Sequence, residues 1–167
     1  MTFLPIEDLH YDSPLTPVQI QERITASIEP KQMLRFRKKK DSKPYEGHIS
    51  GDNFEINRII GYRNSFLPQI KGNIQAAASG AVVEVKMRLS IFVYIFLAFW
   101  CGSLGIFFMT FLVSNILKEQ FDPVIFIPLG MILFAYLMVT GGFKYEAKIA
   151  KKDLRKILEG RLKNKAP

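Results

Sequence analysis

The chain has 167 residues and 19.1 kDa, with 23 Lys+Arg against 15 Asp+Glu and a net charge of +8. That length allows one modest domain, or a small domain with an appendage. The mean hydropathy of +0.10 averages two unlike regions, because Leu89–Leu117 and Pro123–Phe143 carry no charge and the rest is polar and lysine-rich. This patterning excludes a soluble globular enzyme and leaves a membrane protein with two spans and soluble parts at both ends.

In chain order, residues 1–30 form an N-terminal segment with one short helix. Thr16–Ile28 has Ile20, Ile24 and Ile28 four apart, and Ser13 or Thr16 as a cap. The first 20 residues contain Glu7, Asp8, Asp12 and three prolines, with no apolar signal region, so the first span is expected to act as its own insertion signal.

Residues 31–88 read as a cytoplasmic antiparallel domain. Leu34 and Phe36 alternate with Arg35 and Arg37, which predicts a half-buried strand. Further strands are expected at Tyr45–Ser50, Phe54–Ile60, Phe66–Gln75 and Ala81–Leu89. Ser50-Gly51-Asp52-Asn53 is a hairpin signal and Gly61–Ser65 a loop.

An uncharged apolar stretch of about 18 residues or more reads as a membrane span. Spans are therefore predicted at 89–117 and 123–143, joined by a short connector at 118–122 that makes them antiparallel neighbours. Residues 1–88 hold 13 Lys+Arg, the connector one, and residues 144–167 nine. The positive-inside rule then puts both termini in the cytoplasm and the connector outside.

From Lys144, apolar residues at Ala147, Ala150, Leu154, Ile157, Leu158 and Leu162 predict a basic amphipathic helix. The fold class expected is an α+β membrane protein. It has an antiparallel β-meander cytoplasmic domain with a flanking helix, interrupted by a two-helix transmembrane hairpin. A pleckstrin-homology-like barrel is the alternative, but the strand count is short for it.

Chemistry-bearing patterns are sparse. The sequence has no Walker-type loop, no GxSxG and no HExxH. Cys101 is the single cysteine, and His10 and His48 stand apart, so no metal or cofactor is expected. Neither predicted span contains an ionisable side chain of the kind that marks proton or ion pathways.

Three features stand out as candidate contact sites. Ala98, Gly102 and Gly105 give small-xxx-small spacing with Cys101, which predicts close helix packing. The chain's own second span is the first partner for it and another chain the second. Lys148, Lys152 and Lys156 follow Lys144 every four residues, a stripe suited to anionic headgroups or to plain solvation. Nucleic acid is disfavoured because no recognition motif accompanies these cations. The loop Gly61-Tyr62-Arg63-Asn64-Ser65-Phe66-Leu67-Pro68 unites a guanidinium, an amide and hydroxyls. Arg63 and Asn64 suit a carboxylate, phosphate or headgroup, although local side chain–backbone bonds alone account for such a loop.

With Asn53-Phe-Glu-Ile-Asn-Arg-Ile-Ile and Val85-Lys-Met-Arg-Leu, this loop resembles a group of small bacterial membrane proteins, over about residues 44–160. Like this chain, they have a strand-rich cytoplasmic part interrupted by a two-helix hairpin. The resemblance implies a bacterial inner-membrane setting and no activity. The expected function is non-enzymatic: the hairpin anchors a cytoplasmic α+β module for protein interaction or membrane organisation. The expected partners are the bilayer and a membrane protein or second copy. The alternative is a module sensing anionic lipid or a small ligand. A hydrolase or transferase working through unassigned carboxylates is weaker still.

Overall fold

The computed structural model describes residues 4–31, 43–118 and 122–163. Across them the chain is an α+β fold of one mixed seven-stranded sheet and three helices. The elements are β1 (Ile6–Ser13), α1 (Pro17–Ser27), β2 (Ile28–Glu29), β3 (Tyr45–Ser50), β4 (Asn53–Arg58), β5 (Gln69–Ala77), β6 (Gly80–Arg88), α2 (Ile91–Leu117), α3 (Ile127–Ile157) and β7 (Arg161–Lys163). A single 3-10 turn, Pro123–Phe126, leads into α3.

Local chemistry explains the central strands. Strict alternation from β3 to β6 puts Tyr45, Phe54, Ile56, Ile70, Val83 and Val85 on one face, all buried. The opposite face carries Glu55, Lys71, Lys86 and Glu84 and stays wet. Gly51, at φ 57, turns β3 into β4 in the left-handed conformation that glycine adopts without strain. Gly72 opposes Phe54 across β4 and β5, and the bare Cα lets the Phe54 ring lie over it. These four strands form the expected antiparallel meander, with β4 ending at Arg58 and β5 beginning at Gln69.

The sheet as a whole is not purely antiparallel, which corrects the sequence-based expectation. Its order is β2-β3-β4-β5-β6-β1-β7, and β2 pairs with β3 in parallel. The chain enters as β1, and α1 carries it from one end of the sheet to the other edge, so the short β2 arrives running the same way as β3. The β1 strand itself lies outside the expected set. Its inward positions, read from pairing with β6, are Glu7, Leu9, Tyr11 and Ser13, and its outward ones include Ile6. Polar residues inside and an isoleucine outside erase the period-two signal. The strand expected around Leu34 and Phe36 lies outside the described residues.

Helix α1 begins as expected, with a capping box: Gln19 N donates to Thr16 Oγ1 at 3.3 Å and Thr16 N to Gln19 Oε1 at 3.0 Å. Ile20 and Ile24 bury its inner side. Helix α3 runs unbroken through Lys144, where the sequence divides an apolar span at 123–143 from a basic amphipathic stretch at 144–167. No glycine cap or proline intervenes, and the Gly141-Gly142 pair is absorbed within the helix. Its first half is largely exposed, whereas Phe143, Ala147, Ala150 and Leu154 pack into the sheet at successive i+4, i+3 and i+4 steps. Each fully buried Leu or Phe there contributes about 1.5–3 kcal/mol. Both α2 and α3 are long and apolar enough to cross a membrane.

Candidate functional site

Where α3 meets the sheet, the apolar stripe is interrupted by Glu146, whose side chain is fully buried. Three groups from the β4 end and the following loop converge on it. Arg58 donates from Nη1 to Glu146 Oε2, and the Tyr62 hydroxyl donates to Oε1. Asn64 Nδ2 adds a third bond to Oε1 at 3.1 Å. Arg58 also has its Nε 3.9 Å from Asp153 Oδ2, two turns further along α3.

The sequence builds this cluster locally. Arg58 occupies the inward position that follows Phe54 and Ile56, so its guanidinium must point under α3. Asn64 Oδ1 accepts from Phe66 N at 2.9 Å, an Asx turn that fixes the loop and leaves Nδ2 free to reach Glu146. A buried carboxylate is tolerable only with such charge-assisted partners. The Tyr62 phenol is held above its ordinary value, first by its bond to Glu146, then by partial burial and the carboxylate's charge.

A second clamp ties α3 to β1. Glu7 Oε1 lies 2.7 Å from Lys144 Nζ, and Oε2 lies 2.9 Å from Lys151 Nζ. Burial pushes the Glu7 carboxyl up, but the two ammonium groups outweigh it and hold it below the usual range. Ser13 adds a bond from its hydroxyl to Leu158 O at 2.6 Å. Both ends of the inner sheet face are thus tied to one helix.

Of the residues expected to make contacts, Asn64 is in the Glu146 cluster and Arg63 points to solvent. Lys148, Lys152 and Lys156 are exposed along one side of α3, while Lys144 and Lys151 turn inward to Glu7. Because α3 is continuous, Lys156 lies ~18 Å further along the axis than Lys144. Ala98 and Gly102 are exposed, and a Cβ added at Gly102 or Gly105 would meet nothing within 4 Å. Sequence reasoning missed Glu146, Arg58 and Tyr62. The available signal was a charge at a position that the apolar period of its element reserves for the core.

Above the cluster, an apolar groove of about 500 Å³ runs between α2 and α3. Its lining includes Leu97 and Trp100 from α2, Ile127, Met131 and Val139 from α3, and Phe66 from the loop. Phe66 also lies against Gly142, where an added Cβ would come within 3.1 Å of the ring. One short loop therefore touches the groove through Phe66 and the buried carboxylate through Tyr62 and Asn64.

Among the described residues no group of three or more His, Cys, Asp or Glu side chains could hold a metal ion. The buried carboxylate accepts from three donors, the Arg58 guanidinium, the Tyr62 hydroxyl and the Asn64 amide. No protein-family model, no curated protein and no solved structure matches the chain.

Proposed function

We propose that this is a non-enzymatic integral membrane protein of the bacterial inner membrane, whose α2–α3 hairpin anchors a cytoplasmic α+β module that docks another protein. The observation that carries the reading is the unbroken α3. Its apolar half extends away from the sheet, and its other half is the sheet's own core helix, fastened by Glu146 and Glu7. Anchor and module then move as one body, which suits a protein that holds a partner at a set height and orientation.

The exposed cations favour a protein partner over the headgroups for most of their length. If α3 leaves the bilayer near Lys144, Lys152 and Lys156 stand ~12 and ~18 Å from it, beyond the ~8 Å screening length at physiological salt. An acidic face on a neighbouring protein is the natural counterpart of the Lys148–Lys152–Lys156 row.

The test has two parts. A reporter joined at Gln120 should read as external and reporters at either terminus as cytoplasmic; an internal connector overturns the topology. Purification in gentle detergent should retain a stoichiometric second protein, lost when Lys148, Lys152 and Lys156 are all changed to Glu. A preparation whose composition is the same with and without those charges defeats the docking role.

A further inference from the structure

On the face of the sheet opposite α1 and α3, the register of β4, β5, β6 and β1 sets polar side chains in two adjoining rows. One row runs Glu55, Lys71, Lys86, Asp8, and the next Asn53, Asn73, Glu84, His10. The first row puts two lysines directly opposite each other, an arrangement that destabilises a sheet. Its carboxylates do not relieve both. Glu55 Oε2 lies 3.0 Å from Lys71 Nζ, and Asp8 Oδ1 accepts from Arg88 Nη2 at 2.7 Å. Lys86 is left exposed, with no hydrogen bond or ion pair to a described residue.

Glu84 is the converse case. Its ionic contact is His10 Nδ1 at 3.8 Å, beyond hydrogen-bond reach. Lys86 and Glu84 stand two positions apart on one face of β6, ~7 Å along the strand, and form no ion pair with each other. Both border a cavity of about 170 Å³, completed by Asn53, Lys71, Asn73 and Gly72. Gly72 contributes backbone alone, because a side chain there would point inward at Phe54. Asn73 Nδ2 donates to Asn53 Oδ1 at 2.9 Å, and Gln75 Nε2 donates to Asn73 Oδ1 at 2.9 Å. That chain of bonds holds the amides as a fixed wall on the Glu84 side.

A plain anion entering this cavity meets the Lys86 ammonium but also the Glu84 carboxylate, and a plain cation meets the reverse. A molecule carrying both charges satisfies both groups at once. At ~30 Å³ per water-sized group the cavity takes roughly six non-hydrogen atoms, the size of alanine.

We propose that this cavity binds a small free α-amino acid, its carboxylate on Lys86 and its ammonium on Glu84. Lys71 flanks the carboxylate end, and the occupant joins β4, β5 and β6 across the open face. The site uses no residue of the hairpin or of the Lys148–Lys152–Lys156 row. It is therefore independent of the docking role and adds a ligand input to the module.

The full chain in detergent is titrated with alanine and followed by ligand-observed NMR of the alanine methyl group. Propionate and ethylamine, which each keep one half of the charge pair, are titrated alongside. Alanine should bind saturably in the millimolar range or tighter. It should bind about tenfold more tightly than either half, the worth of one charge-assisted hydrogen bond. Lys86→Gln and Glu84→Gln should each weaken alanine about tenfold for the same reason. Glu84→Gln should also tighten propionate, because it removes the carboxylate that repels it. Both side chains lie on the open face, so neither change disturbs the core.

A wild type with no saturable alanine signal overturns the proposal, as does an alanine affinity that either substitution leaves unchanged. Propionate or ethylamine binding as tightly as alanine marks a site for a single charge and refutes the amino-acid assignment.

Discussion

Changing Glu146 to glutamine keeps the side chain's shape and removes its charge, which isolates the electrostatic part of the clamp on the Gly61–Pro68 loop. Removing one member of a buried ion pair costs about 3–5 kcal/mol. Two features of the structure lower that figure. Arg58 retains 17% side-chain exposure, and Asp153 waits 3.9 Å from its Nε as a substitute partner. A local opening free energy reduced by about 2–3 kcal/mol is therefore expected, a roughly 30- to 150-fold larger open population. The assay is tryptic cleavage after Arg63, which lies in the clamped loop and is exposed. When opening and closing are fast, cleavage tracks the open population, so the rate should rise by that factor. An increase below about threefold refutes the idea that Glu146 holds the loop. Pairing Glu146→Leu with Arg58→Met should return the rate to within about tenfold of the wild type, because a matched apolar pair leaves no buried charge.

The Glu7 clamp predicts a pH signature. Its carboxyl is lowered in the folded chain from an ordinary 4.5. Its contribution is thus complete above that value and fades as the pH falls through the lowered one. Thermal midpoints of wild type and Glu7→Gln should converge on acidification below 4.5, and a constant offset counts against the ion pairs. Tyr45 is fully buried, and its hydroxyl faces the Asp153 carboxylate without forming a well-aligned hydrogen bond. Tyr45→Phe should accordingly leave thermal stability unchanged or raise it by up to about 1 kcal/mol. A loss beyond that would reveal a hydrogen bond at the hydroxyl.

How legible the fold is in the sequence varies element by element, for physical reasons. Strands β3 to β6 and helix α1 are readable because Phe54/Ile56, Ile70/Ile74 and Val83/Val85 keep period two, and Ile20/Ile24 keep the helical period. Strand β1 is unreadable because Glu7 and Ser13 point inward to serve α3, so a tertiary requirement overrides the alternation. The three-residue β7 is too short for any periodic signal. Continuity of α3 is hidden by the change of composition at Lys144: hydropathy marks an end where the hydrogen-bond ladder has none. The loop residue Asn64 stands out locally, but its partner Glu146 is 82 positions away. Only the conflict between a charge and its core-facing register hints at that pairing, and Arg58 shows the same conflict.

The place of α2 in the chain order sets the timing of folding. Every strand from β1 to β6 is synthesised before the hairpin, while the residues that cover them, Phe143 to Leu158, are synthesised after it. From Leu89 to Leu158 a ribosome adding 5–20 residues per second needs roughly 3–14 s. During that interval Ile56, Ile70, Val83, Val85 and Met87 lack the helix that finally shields them. A nascent chain whose hairpin stalls keeps that apolar sheet face uncovered. Failure to complete α3 therefore leaves a persistent exposed surface of the kind that chaperones and proteases bind.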